Sequence, residues 1–203
     1  MATVTRTKLG PADHGVELSY DEFVAARYKD GFKYELIDGR LYVSPEPDMP
    51  EDFLSQWLMR SIFYYQIDHP TVITYVSAKS RVFVPGRSAT TCPEPDLAIY
   101  DAVLTATRIR KLNWRKYQPF IIAEVMTRDT WKDLVRNVEL YLLVPRVREY
   151  WVLDARKDAD EPTLIVHARR GQQWRTREYP FGSTFSTKLL PGFHLVIDPG
   201  QRT

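Results

Sequence analysis

The apolar positions of this chain fall into three kinds of run, and each predicts a different element. From Lys33 to Ser44 apolar and polar residues alternate on either side of Asp38-Gly39, which predicts a β-hairpin with a type I′ turn between Tyr34-Glu35-Leu36-Ile37 and Arg40-Leu41-Tyr42-Val43. Phe53, Leu54, Trp57, Leu58, Ser61, Ile62 and Tyr65 recur at helical spacing, so a long helix should pack one face on a sheet and stop at Asp68-His69-Pro70. The third kind is a short, nearly unbroken apolar run, found at Leu97-Tyr100, at Phe120-Met126 and within Glu149-Asp154. Such runs predict strands buried on both faces. Two of them carry a single acid, Asp96 at the entrance of the first and Glu124 inside the second.

The remaining segments complete a mixed architecture. Ser19 with Glu22 three residues on forms a capping box that opens a short helix ending near Asp30-Gly31. Pro45, Pro47 and Pro50 exclude regular structure between the hairpin and the long helix. Val72 to Val84 predicts a strand, bent at Ser77-Ala78. Asp101 to Pro119 reads as a basic connection that includes a helical turn, and about Trp131 to Val144 as a helix with Leu134, Val138, Tyr141 and Leu142 on one face, ended by Pro145. Thr163-Ala168 and Gln173-Tyr179 form an antiparallel pair across Arg169-Arg170-Gly171, and Phe193-Ile197 a final strand. Strands and helices interleave without strict βαβ repetition, which predicts an α/β or α+β fold with a central mixed β-sheet flanked by helices. Residues 1–15 are polar and broken by Gly10, Pro11 and Gly15, the pattern of a flexible tail. Residues 16–203 then form one domain, since 203 residues of which 44% are apolar suit a single core.

Charge narrows the function classes. Against 26 acidic residues stand 28 basic ones, a net charge of +2, so no global polycation draws the chain onto a polyanion and any such site must be local. A single cysteine excludes an internal disulfide framework and fits a reducing compartment, and no apolar run reaches the roughly 20 residues of a membrane span. A soluble, cytoplasmic protein with no membrane partner is expected. His14, His69, His167 and His194 have no metal-ligand spacing, and Cys92 reads as structural.

The acids in apolar strands carry the candidate chemistry. An ionised carboxylate loses several kcal/mol of solvation on burial unless a cation or a set of donors compensates it. For Asp96 the bland alternative is a strand-entry acid held by backbone N–H groups after Pro95. Glu124 could pair with a buried arginine from elsewhere, and Glu35 could face solvent on its hairpin. The functional alternative is a hard divalent cation, Mg²⁺ or Mn²⁺, held by one or two carboxylates, water and substrate phosphate, an arrangement suited to phosphodiester hydrolysis. Arg108-Ile109-Arg110-Lys111 through Trp114-Arg115-Lys116-Tyr117 interleaves cations with aromatics, as a phosphate-tracking surface or an ordinary solvated face would. Arg128 and Lys132, close after Glu124, are better placed to meet a phosphate.

Taken in order, Tyr34-Glu35-Leu36-Ile37-Asp38-Gly39, Pro95-Asp96, Ala123-Glu124-Val125 with Thr127, then Asp133, Tyr141 and Glu149-Tyr150-Trp151-Val152-Leu153-Asp154 resemble the Uma-type putative restriction endonuclease family of the PD-(D/E)XK nuclease superfamily. The resemblance spans about Ser19 to Asp154. It implies a restriction-endonuclease-like fold, a metal-dependent endonuclease acting on DNA, Asp96 and Glu124 as metal-binding acids and Glu35 as an additional acid that binds metal or water. Two-fold cutting of a duplex is compatible with a homodimer. The superfamily's lysine two residues after the second acid is Met126 here, and the lysine that related chains carry in the following helix is Asn137, with Arg136 beside it. Asparagine can orient a water but carries no charge. Lys79 and Lys132 are candidates for a displaced lysine. A catalytically weakened fold that binds nucleic acid or a protein without cutting is therefore the alternative reading. A hydrolase of small phosphorylated substrates is a third.

Overall fold

The structure, a computed structural model, describes residues 8–102, 113–128 and 131–200. The basic stretch Arg108–Lys111 and the helical turn expected near it lie outside these residues. Six strands make the main sheet in the order β3-β4-β5-β6-β7-β8: β3 (Tyr75–Ser77), β4 (Leu97–Tyr100), β5 (Ile121–Met126), β6 (Glu149–Asp154), β7 (Thr163–Arg170) and β8 (Gln173–Tyr179). Every neighbouring pair is antiparallel except β5 and β6, so the sheet is mixed. The parallel pair is the one whose connection contains a helix, as a parallel crossover requires.

The hairpin β1 (Phe32–Ile37) and β2 (Arg40–Pro45) forms a separate two-stranded sheet. Asp38 (φ 50°) and Gly39 (φ 76°) are both left-handed, the backbone that a type I′ turn demands. Before it, α1 (Tyr20–Ala25) starts at the expected capping box but is shorter than the sequence suggested, because Ala26 is already extended. Leu9 bridges Tyr28 and residues Pro11–Asp13 form a 3₁₀ turn, so the chain is tied to this unit from Leu9 onward. The long helix α2 (Met49–Asp68) begins earlier than expected. Asp48 caps it by accepting from the Glu51 N–H at 3.2 Å, and Pro50 falls in the first turn, where no donor is needed. Leu54, Trp57, Leu58, Ile62 and Tyr65 are buried against the sheet, whereas Phe53 lies off that face and is 51% exposed.

The expected strand over Val72–Val84 shrinks to β3. Beyond it Val82 and Val84 donate to Pro93 and Thr91 carbonyls, at 2.9 Å each, and Pro93 and Pro95 have no N–H with which to continue a ladder. The final strand is also shorter, β10 (Leu195–Val196), and it pairs with β9 (Thr184–Phe185) rather than with the main sheet. The helix after β5 opens with a π-helical turn, Lys132–Arg136, and continues as α3 (Asn137–Leu142). One core lies between α2 and the sheet around Trp151 and Phe193. A second lies between the sheet and α3 around Tyr141 and Tyr150, and a third inside the hairpin unit around Phe23 and Leu36. Cys92 sits in this third core, where burial pushes its thiol up to about 12, as befits a structural residue. Among the described residues no helix is long and apolar enough to cross a membrane.

Arg169 is more than a turn residue. It ends no hairpin, since β7 runs on to Arg170, and its guanidinium donates to the carbonyls of Tyr141 (2.9 Å), Leu142 (3.0 Å), Val144 (2.9 Å) and Val147 (2.5 Å) while lying over the Trp174 ring. Two residues earlier, His167 is stacked on Tyr150, with Nδ1 2.8 Å from the Thr176 hydroxyl and Nε2 without a partner among the described residues. Burial lowers its pKa to about 4. The neutral ring is thus the folded form, so its contribution is present above the unfolded value near 6.5 and lost as pH falls toward 4. His167→Gln should flatten this part of the stability profile by roughly 2 kcal/mol, read from urea unfolding at pH 7 and pH 4.5.

Candidate active site

Asp96 is the last residue before β4, and the β4–β5 register sets Leu97 opposite Ala123. That register brings Asp96 alongside Glu124, whose Oε2 accepts from the Asp96 N–H at 3.3 Å. The Val125 N–H in turn donates to Asp96 Oδ2 at 2.7 Å. Across from Glu124, α3 supplies two donors to Oε1, the Asn137 amide at 3.0 Å and the Tyr141 hydroxyl at 3.3 Å. The same Asn137 nitrogen lies 3.2 Å from Asp133 Oδ1, so a single amide spans two carboxylates. The π-helical turn makes this convergence possible, since it carries Lys132, Asp133 and Arg136 immediately ahead of Asn137.

From the other side β1 contributes Lys33 and Glu35, two residues apart and hence on one face of the strand. Lys33 Nζ is hydrogen-bonded to Asp96 Oδ1. Glu35 accepts from the Glu94 N–H at 3.1 Å and from Arg136 at 3.0 Å, with Lys132 Nζ at 3.7 Å. Glu51, on the first turn of α2, accepts from the Thr127 hydroxyl at 3.1 Å.

The electrostatics are those of a site short of positive charge. Burial pushes Glu124 well above the usual carboxylate range, and neighbouring Asp96 and Asp133 add to the shift against the opposing pull of Lys132. Burial likewise raises Asp133 to about 7, and both burial and Asp96 raise Glu51. Only Glu35 goes down, because Lys132 and Arg136 outweigh its burial. Lys33 and Lys132 are held protonated against burial, Lys33 chiefly by Asp96 and Lys132 chiefly by Glu35. Two carboxylates that resist ionisation beside the Asp96–Lys33 pair are what an additional cation would relieve.

Lys33, Glu51, Asp96, Glu124, Lys132 and Asp133 line a pocket of about 350 Å³ that Asp48, Thr127 and Arg128 also border. Arg128 is at its rim, 80% exposed and paired with Asp48, whereas Lys132 points inward. Among the described residues no three His, Cys, Asp or Glu side chains converge as a ready metal cage. Two carboxylates completed by water and substrate phosphate are nonetheless a common Mg²⁺ shell, and Asp96 with Glu124 fits it. Glu35 does not line the pocket, both its oxygens being engaged by Arg136 and the Glu94 N–H. Met126 is buried in the apolar core against α3, Lys79 is exposed and has no ion pair among the described residues, and the cation at Asp96 is Lys33. Sequence reasoning had passed over Lys33. The signal was its i, i+2 relation to Glu35 in an alternating strand.

A family model described as "Putative restriction endonuclease", Uma2, matches residues 20–198. Among solved structures, a crystal structure of a putative nuclease belonging to DUF820 from Anabaena variabilis superposes with a TM-score of 0.64. It is 16% identical, and the match covers 89% of this chain and 95% of that one. No curated protein matches the sequence.

Proposed function

The chain belongs to the Uma2 family of putative restriction endonucleases, and from that premise we propose that it is a Mg²⁺- or Mn²⁺-dependent endonuclease hydrolysing phosphodiester bonds in DNA. The observation that carries this reading is the juxtaposition of Asp96 and Glu124 in one pocket with Lys33 bonded to the first. Asp96 and Glu124 would hold the ion. When bound, the metal supplies charge neutralisation of the phosphate and a water of lowered pKa.

The chain's own residues do the rest. Lys33 and Lys132, protonated and facing the pocket, would bind the non-bridging phosphate oxygens, with Arg128 orienting the backbone at the rim. Asn137 and Tyr141 fix the Glu124 carboxylate by donating to one oxygen, which leaves its other oxygen toward the Asp96 backbone. Glu35 would act through Lys132 and Arg136, holding both cations against the site. Lys33 answers the objection raised by Met126 and Asn137, because it supplies from β1 the charge those positions lack. Among the described residues of a single chain one such site is formed, so a nick in one strand is the elementary event.

The test combines Mn²⁺ calorimetry with plasmid nicking in Mg²⁺, Mn²⁺ and EDTA, on wild type, Asp96→Asn and Lys33→Met. Metal-dependent nicking is expected from wild type, with a loss of roughly 10²-fold or more in each variant. Gel shifts at low and high salt should show affinity for DNA falling with salt. Metal and DNA binding without nicking would favour the non-cutting alternative. If folded wild type binds no metal, with or without DNA, the carboxylate cluster is structural and the reading fails.

A further inference from the structure

A second cavity of about 650 Å³ opens against the acid pocket and shares Lys33, Glu46 and Asp96 with it. Its walls are partly aromatic, with Tyr28, Phe32 and Trp114 all half-buried. The faces of Tyr28 are already covered, by the Arg81 guanidinium at 5.1 Å and by Tyr34 at 4.4 Å. Among the described residues Phe32, packed on the hairpin core, meets the edge of the Tyr34 ring at 6.5 Å and 69°, and Trp114 contacts no other ring. Among the described residues, the ring faces these two offer to the cavity therefore stand without an aromatic stacking partner.

The charge around those rings argues against a phosphate. Four cationic and five acidic side chains line the cavity, Arg81 is paired with Glu94 at 3.3 Å and Lys33 with Asp96, so a dianion gains little there. A flat, neutral ring with donor and acceptor edges gains more. It stacks on Trp114 and presents its edge to the Gln56–Asp52 pair, itself joined at 2.7 Å, on the outer wall formed by α2. That description fits a nucleobase, and the shared Lys33 and Asp96 set it next to the phosphate pocket.

We infer that this cavity receives the unpaired base of the nucleotide adjoining the scissile phosphate, so that single-stranded or locally unpaired DNA is the preferred substrate. The inference rests on the endonuclease reading above. In a paired duplex the base must first leave its stack, a cost that is absent from a single strand. Stacking on one aromatic side chain corresponds to roughly ten- to hundredfold in affinity.

The experiment uses short oligonucleotides with a central 2-aminopurine, as single strand, perfect duplex and duplex mismatched at that base, in Ca²⁺ to report binding. Cleavage of the same three is then followed in Mn²⁺. The single strand and the mismatched duplex should bind at least about tenfold tighter than the perfect duplex, with 2-aminopurine fluorescence quenched by stacking. Trp114→Ala should reduce that preference to less than about threefold, and so should Ala78→Leu, which takes up space at an exposed rim position without offering a ring to stack on. Should Trp114→Ala fail to fold, Ala78→Leu decides. Equal affinity for all three substrates, or a preference unchanged in a folded variant, overturns the base pocket while leaving cleavage at Asp96 and Glu124 intact. Absence of binding and cleavage on every DNA overturns the endonuclease reading, and this inference with it.

Discussion

Glu124→Gln is expected to abolish metal-dependent cleavage, by roughly 10³-fold or more, while leaving the metal-free protein as stable as wild type or more so. The two effects have opposite signs because the same carboxylate serves a bound cation and burdens an empty fold. Its pKa is raised by burial and by Asp96 and Asp133, so its contribution to stability is present below the unfolded value and lost as pH rises through the folded one. An amide of the same shape keeps an oxygen for Asn137 and Tyr141 and has no proton to lose, and these gains offset the long bond from the Asp96 N–H that the amide nitrogen cannot accept. Thermal melts in EDTA at pH 6 and pH 8 should show the variant gaining on wild type as pH rises. Added Mn²⁺ should raise the melting temperature of wild type alone. A variant that melts lower than wild type at both pH values and still cuts would remove Glu124 from the site.

Arg169→Leu should cost about 3 kcal/mol of stability, measured as a lower urea midpoint, because one guanidinium satisfies four carbonyls at and beyond the end of α3. The leucine would preserve packing on Trp174 but strand those oxygens. Arg169→Lys should recover less than half of the loss, since an ammonium cannot reach four acceptors in one plane. Cleavage should weaken in parallel, because α3 carries both donors to Glu124. An unchanged midpoint would mean that water satisfies the helix end equally well.

Much of the scaffold was written in local pattern. Asp38-Gly39 fixes the hairpin turn, Ser19 and Glu22 the start of α1, and the apolar runs around Asp96, Glu124 and Trp151 the three central strands. What escaped depends on partners distant in sequence. Val82 and Val84 have strand-like side chains, but whether they continue a ladder is decided by prolines at 93 and 95. The short strand Thr184–Phe185 has no periodicity to read and exists only because Leu195–Val196 lies beside it. The acids Asp96 and Glu124 stood out because charge inside an apolar run is costly. Lys33 did not, since a lysine on an alternating hairpin strand is indistinguishable from a solvent-facing one until Asp96, 63 residues away, is brought to it. Arg169 looked like turn chemistry for the same reason: its acceptors lie 22 to 28 residues earlier.

The three cores described above divide ownership of the site. Lys33 and Glu35 ride on a hairpin packed around Phe23 and Leu36, whereas Asp96 and Glu124 belong to the main sheet. The exchange between Leu36 and Cys92 and the bond from Gly39 to Thr90 tie the hairpin to the loop ahead of β4, and Ile37 is the hairpin residue that packs in the second core. On warming, the smaller unit should loosen first, carrying its lysine away from Asp96 while the sheet keeps its circular dichroism. Heat would then silence the protein several degrees before it denatures, and amide hydrogens of β1 would exchange ahead of those of β5.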